Sequence, residues 1–203
     1  MSARELRTVE VEGFTRSSFI LRGALAVGAT YGAGAVAPFV SNAFAVVPAS
    51  DLTIVQFALG LEQLETAFYK AALARAGLSG DAQKLATEFG AHEAEHAKAL
   101  NQLLTQLGGK PAAAPKAKFG LTDQASFLKL AVQLEDTGVG AYNGAAPAVK
   151  TPDLLATFGA IAQTEARHSS ALRVAAGVDP APQAFDKPLS TAEVQAAVQP
   201  FIQ

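Results

Sequence analysis

The chain has 203 residues, half of them apolar and 17% charged, with a net charge of −2 and no cysteine. That length suits one domain with a real core, and the near-neutral balance excludes a nucleic-acid partner, which would need a basic face. Without cysteine there are no disulfides, thiolate metal sites or thiol catalysis, so any metal must be held by carboxylates and imidazoles, ligands suited to iron, manganese or zinc.

Residues 1–45 read as an export signal. Arg4, Arg7, Arg16 and Arg22 punctuate the start, Gly23 to Val40 carries no charge, and Ala43-Phe44-Ala45 forms an A-x-A site with cleavage expected after Ala45. The run Thr15-Arg16-Ser17-Ser18-Phe19-Ile20 is similar to the twin-arginine export consensus, with Ser17 where the second arginine belongs, which leaves the Sec route open. An uncleaved anchor is the alternative, since about 18 apolar residues can just span a bilayer. Cleavage implies an exported protein, periplasmic or extracellular, with no stable membrane insertion afterwards.

Helices follow throughout. The first is expected from Ser50 or Asp51 to Ala76, with Gly77 placed to end it and Ile54, Phe57, Ala58, Leu61, Leu64, Phe68 and Leu73 on its apolar face. The second runs from about Asp81 to Leu107 and stops at Gly108-Gly109. The third runs from about Asp123 to Ala146, weakened locally by Gly138, Gly140 and Gly144. Pro147 to Thr151 make a turn, and Pro152 opens a fourth helix lasting to about Ala176. The bundle thus occupies residues 46–177. A proline-rich tail, 178–203, ends in a short helix that Ser190 and Glu193 would cap. No alternating strand pattern is present.

The connection from Gly109 to Leu121, GKPAAAPKAKFGL, is long and favours extended backbone. Extended, it reaches about 43 Å, enough to pass along a helix of about 39 Å. Two helical hairpins joined by one such crossover is the ferritin-like topology, so the expected fold is all-α: a four-helix bundle with a short C-terminal helix.

The chain also repeats. LEQLETAFY from Leu61 matches LEDTGVGAY from Leu134, each placing a tyrosine seven residues after a glutamate: Tyr69 after Glu62 and Tyr142 after Glu135. Glu93-Ala94-Glu95-His96 then follows the first unit, and Glu165-Ala166-Arg167-His168 the second. Residues i and i+3 lie one turn apart on one helix face, so each Glu-x-x-His pair aims a carboxylate and an imidazole into one volume. Two such pairs, each with a single glutamate on the preceding helix, form a constellation of four glutamates and two histidines. Four carboxylates offset two divalent ions, and two of the four can bridge. Solvated surface residues are the bland alternative, but Glu62 and Glu135 sit among leucines, and buried carboxylates without partners are costly.

The string AHEAEH, residues 91–96, also matches the zinc-protease signature H-E-x-x-H. No further histidine or acid appears until Asp123, and Glu62, Glu135, Glu165 and His168 would go unused, so that reading is set aside. His92 lies about 100° around the helix from Glu93 and reads as a neighbour rather than a ligand. Glu65 stands one turn beyond Glu62 and could replace it, although the repeat has Gly138 at the matching place. Asp136 is a candidate outer partner for a ligating histidine. Tyr69 and Tyr142 either line the site or belong to the core.

At LEQLETAFY, HEAEHAKAL, LEDTGVGAYNGAAP and EARHSSALR the chain resembles the ferritin-like superfamily, most of all the exported bacterial ferritin-like proteins related to desiccation-associated proteins. The resemblance covers about Ser50 to Ala176. It implies metal ligands Glu62, Glu93 and His96 from the first hairpin and Glu135, Glu165 and His168 from the second, holding two divalent ions, iron or manganese with zinc possible. It further implies reaction with a small oxidant, oxygen or peroxide, of ferroxidase, peroxidase or manganese-catalase type. A non-enzymatic metal-binding or stress-protection bundle is the alternative function, and a scaffold with a vestigial site a third. A homodimer is compatible with this reading; a storage cage is not expected.

Overall fold

The computed structural model describes residues 51–203. The export signal expected over 1–45 lies outside the described residues. Four long helices carry the fold: α1 (Asp51–Arg75), α2 (Gly80–Gln106), α3 (Gln124–Ala145) and α4 (Pro152–Ala175). A short α5 (Thr191–Val198) and single 3-10 turns at Ala146–Ala148 and Gln199–Phe201 complete them. Among the described residues the only strand-like feature is an isolated bridge between Ala117 and Ile202. No described helix is long and apolar enough to cross a membrane.

Local chemistry explains the helix ends. Gly77 and Gly108 take positive φ, +58° and +78°, after α1 and α2, where a side chain would be strained. Asp123 caps α3 by accepting from the Ser126 N–H at 2.8 Å, and the Ser126 hydroxyl oxygen accepts from the Asp123 N–H at 3.0 Å. Pro152 opens α4 where its missing N–H costs nothing. Ser190 and Glu193 form the expected capping box on α5.

α1 pairs with α2, and α3 with α4. The segment between α2 and α3 runs back along α1: the Lys110 carbonyl accepts from Gln56 near one end at 3.1 Å, and Phe119 packs edge-on against Phe68 further along. At the far end Gln124 accepts from the Ser79 N–H at 3.1 Å. This is the lengthwise crossover expected from its proline-rich composition. The chain's end closes on it, with Lys118 N–H donating to the Phe201 carbonyl and Gln203 N–H to that of Lys116. Covered by crossover and α5, α1 is buried on most of its circumference. Leu73, expected in the core, is instead 43% exposed: it lies about 100° around the helix from the fully buried Ala72, on the side that faces out.

The glycines of α3 do not interrupt it. Gly140 and Gly144 let the tail approach: a Cβ on Gly144 would overlap the Leu189 carbonyl oxygen, and one on Gly140 the Leu189 side chain. The Leu189 N–H donates to the Gly140 carbonyl at 2.8 Å, and Val194, Val198 and Phe201 join the cluster around Phe68 and Phe127.

That cluster fills one end of the bundle, with Ala82, Ala86, Phe89 and Leu172. A second fills the other end, built on Ile54, Val55, Leu100, Leu104, Leu154 and Phe158. Along each of the four helices, the conspicuous polar residues fall between these two apolar clusters.

Candidate metal centre

One buried layer receives a contribution from every long helix. Glu62 comes from α1, Glu93 and His96 from α2, Glu135 from α3, and Glu165 and His168 from α4. All four glutamates are fully buried, His168 is nearly so, and the His96 side chain is 14% exposed. The structure therefore brings together all six residues singled out by the repeat.

They form two overlapping groups, Glu62, Glu93, His96 and Glu165 in one and Glu93, Glu135, Glu165 and His168 in the other, with ligand atoms in each group within 4.8 Å of one another. Glu93 and Glu165 belong to both. Each group adds one glutamate and one histidine of its own, one set per hairpin. The Nδ1 atom of each imidazole faces inward. His96 Nδ1 lies 3.2 Å from Glu62, 2.9 Å from Glu93 and 3.1 Å from Glu165, and His168 Nδ1 lies 3.0 Å from Glu93 and 3.2 Å from Glu135.

The donor set fits divalent ions. Glu65 Oε2, Glu93 Oε1 and both oxygens of Glu165 are buried without a hydrogen-bond partner. Two of these oxygens lie within 3.1 Å of an imidazole nitrogen, but off its N–H direction, so closeness there is not a hydrogen bond. Buried acceptors of this kind cost free energy unless something positive meets them.

The proton chemistry has the same cause. Burial holds the carboxyl groups of Glu62, Glu65 and Glu135 well above the usual range; the charges of Glu165 and Glu93 push them further, and His96 counteracts them at Glu62. Burial also raises Glu93, but His168 and His96 outweigh it and bring it down to about 2. Burial lowers His96, yet the carboxylates of Glu165, Glu62 and Glu93 push it up to about 12. A charged imidazolium thus stands among carboxylates in the metal-free chain, and a bound cation would displace its proton.

The tyrosines brace the layer across the hairpins. Tyr69 of α1 donates to Glu135 of α3, and Tyr142 of α3 donates to Glu62 of α1. Each therefore serves the glutamate of the opposite repeat rather than that of its own helix. Burial, with the carboxylate charge alongside, raises both phenols and keeps them protonated as donors.

The outer contacts correct one expectation. Asp136 does not serve a histidine: it accepts from Ser169 at 2.6 Å and pairs with Arg173, on the outer side of α3 and α4. Its chain position beside Glu135 turns it about 100° away from the site. His168 Nε2 instead meets His92 Nδ1 at 2.9 Å, and Phe89 stacks on the His168 ring with centroids 3.9 Å apart. His92 is thus no member of either group but holds a member's ring. The only sequence signal for this was its place one residue before Glu93.

A ferritin-like domain model matches residues 50–178. The chain belongs to the ferritin-like domain family. Its fold is similar to that in the crystal structure of a conserved hypothetical protein, rv2844, from Mycobacterium tuberculosis, with a TM-score of 0.56, 15% identity, and coverage of 61% of this chain and 94% of that one. Comparison with curated proteins gives no match. Family and donor set agree on a bundle with carboxylates and imidazoles that could hold divalent metal.

Proposed function

We propose that this ferritin-like bundle binds two iron or manganese ions side by side and uses them to reduce oxygen or peroxide in the cell envelope. The observation that supports this best is the sharing of Glu93 and Glu165 between the two four-residue groups. A single-ion site would need one such group. Two groups with two common carboxylates suit a pair of ions: Glu93 and Glu165 would be available to both, Glu62 and His96 would complete one position, and Glu135 and His168 the other.

Bound there, a pair of divalent ions supplies two electrons, one from each, enough to take oxygen to peroxide or peroxide to water with two protons. The chain's own residues set the conditions. Tyr69 and Tyr142 fix the carboxylates of Glu135 and Glu62 in orientation. His92 and Phe89 fix the His168 ring. The two apolar clusters exclude bulk water from either end, and His96 is the member nearest solvent, where a small oxidant has the shortest path. Export of the chain through the signal expected over 1–45, and any pairing of two copies, belong to this proposal as well.

Metal content measured by elemental mass spectrometry on the protein recovered from the envelope fraction tests the reading. We expect about two iron or manganese ions per chain, lost in a Glu93→Ala/Glu165→Ala double variant, together with oxygen or peroxide consumption by the loaded protein. A single zinc ion unaffected by Glu165 would refute the paired site. Two ions without turnover would leave a metal-binding bundle and remove the redox activity.

A further inference from the structure

The two hairpins repeat each other at the centre, so a departure from the repeat marks something that one ion position has and the other lacks. His92 stands one residue before Glu93, and the matching place before Glu165 holds Thr164. The Thr164 hydroxyl stays within α4, donating to the Ala160 carbonyl at 3.2 Å and accepting from Arg167 at 2.9 Å. His92 instead reaches across from α2 to α4, where its Nδ1 lies 2.9 Å from His168 Nε2.

The line of this contact is that of a hydrogen bond. The nitrogens are 2.9 Å apart, the ring centroids 5.1 Å and the planes 12° from parallel, so each nitrogen points at the other. On the opposite edge of the His168 ring, Nδ1 faces Glu93 at 3.0 Å and Glu135 at 3.2 Å. A neutral imidazole has one N–H and one lone pair. To ligate an ion through Nδ1, His168 must therefore carry its proton on Nε2, where a buried N–H needs an acceptor. Among the described residues the atom placed to accept it is His92 Nδ1. His96 has no such support. Its hydrogen-bond partners among the described residues all lie at Nδ1, and its side chain is 14% exposed against 3% for that of His168.

Resting on the two-ion reading above, we propose that His92 is a positioning residue for one ion position alone: as acceptor of the His168 Nε2–H it fixes the tautomer in which Nδ1 is free to ligate beside Glu135. In the loaded protein His92 then has a bare Nδ1 and carries its own proton on Nε2. The position built by Glu62 and His96 does not depend on it.

Two measurements on the metal-stripped full chain reloaded with Zn2+ test this. Long-range 1H–15N spectra of protein labelled at its three histidines should show His92 bare at Nδ1 and protonated on Nε2, and His168 protonated on Nε2. These wild-type spectra decide the tautomer even should a variant fail to melt cooperatively. Calorimetric titration should show two Zn2+ bound by the wild type. His92→Leu, similar in bulk but without an acceptor, should weaken one of them by about tenfold or more, the loss usual when the outer partner of a ligating histidine is removed, and leave the other within about twofold. The His168 resonances should follow the weakened step and those of His96 the other. His92→Asn, whose Oδ1 falls near the place of the lost Nδ1, should recover most of the loss, whereas a packing role would favour leucine. A His92 protonated on Nδ1 in the loaded wild type, an unchanged titration in His92→Leu, or asparagine no better than leucine would each overturn the role of His92 and leave the two-ion centre standing. Fewer than two Zn2+ bound by the wild type would overturn the centre itself.

Discussion

Replacing Glu165 by leucine should make the metal-free protein more stable, although it destroys the centre. Glu165 is fully buried and neither of its oxygens has a hydrogen-bond partner. Each unsatisfied buried acceptor costs about 1–3 kcal/mol; Oε1 lies 3.1 Å from the charged His96 ring, so only Oε2 is left unmet and its removal returns roughly 1–3 kcal/mol. An imperfect fit of leucine in nearly the same volume takes back up to about 1.5 kcal/mol. His96 loses its neighbour at 3.1 Å but keeps Glu93 at 2.9 Å and Glu62 at 3.2 Å, so no charge is stranded. The net gain is at most about 3 kcal/mol, and at about 2–4 °C per kcal/mol for a domain of this size it raises Tm by up to roughly 12 °C. Urea and thermal melts of chelator-stripped protein measure it. Added Mn2+ should then reverse the order, since ligand at a hundredfold its Kd stabilises the wild type by about 2.7 kcal/mol and the variant has lost a shared ligand. A stripped Glu165→Leu protein that melts at or below the stripped wild type would refute the argument that these oxygens await a cation.

The same site sets an unusual pH dependence for the stripped protein. Glu62, Glu65 and Glu135 are raised in the folded state, so their contribution is fully present below the unfolded value near 4.5 and is lost as pH rises through the folded values. His96, raised to about 12, likewise contributes fully below 6.5 and loses that contribution towards about 12, while Glu93, lowered to about 2, contributes above 4.5 and fails only as pH falls towards about 2. Between pH 8 and pH 5 every one of these acts in one direction or is constant, so Tm in chelator should rise on acidification, and a fall over that interval would contradict the assignments. Away from the centre, Gly144→Ala should cost about 1–3 kcal/mol by overpacking against Leu189 and should open the tail to trypsin at Lys187. Gly159→Ala on α4, with nothing within 4 Å of the new methyl, should instead stabilise by up to about 1 kcal/mol, and equal effects in the two melts would show that the tail is not docked on α3.

The fold was legible because its punctuation is local. Gly77, Asp123, Pro152 and the Ser190–Glu193 pair act on backbone within a turn of themselves, and each stands where the chain alone places it. The convergence of Glu62, Glu93, His96, Glu135, Glu165 and His168 was legible for a different reason. A duplicated hairpin writes one geometric demand twice, and Glu-x-x-His is a spacing that only a helix makes meaningful. What the sequence hid depends on pairs far apart in the chain. Gly140 and Gly144 read as weak points until Leu189, more than forty residues on, is seen against them. Asp136 reads as a candidate partner for a ligating histidine, yet adjacent helix positions point apart, and its partners are Ser169 and Arg173. His92 finds His168 across two hairpins. Leu73 is apolar but sits about 100° around α1 from Ala72, which takes the buried face of that turn.

The position of the polar layer explains how the bundle tolerates it. Each apolar cluster is drawn from all four long helices, so the helices are clamped above and below the centre independently of what the centre holds. The two buried acceptors with no imidazole beside them, Glu65 Oε2 and Glu165 Oε2, cost on the order of 2–6 kcal/mol together, against a usual net stability of about 5–15 kcal/mol. A layer carrying that penalty could not sit at a bundle end, where one cluster would have to hold the helices alone. Placed between two clusters, its carboxylates stay converged in the absence of an ion. That convergence is what a cation needs on arrival: the ordering has been met by apolar packing elsewhere, and binding then removes the penalty instead of adding a further one. On the proposed reading the bundle would be least stable when empty, with its stability tied to metal through the oxygens that would ligate it.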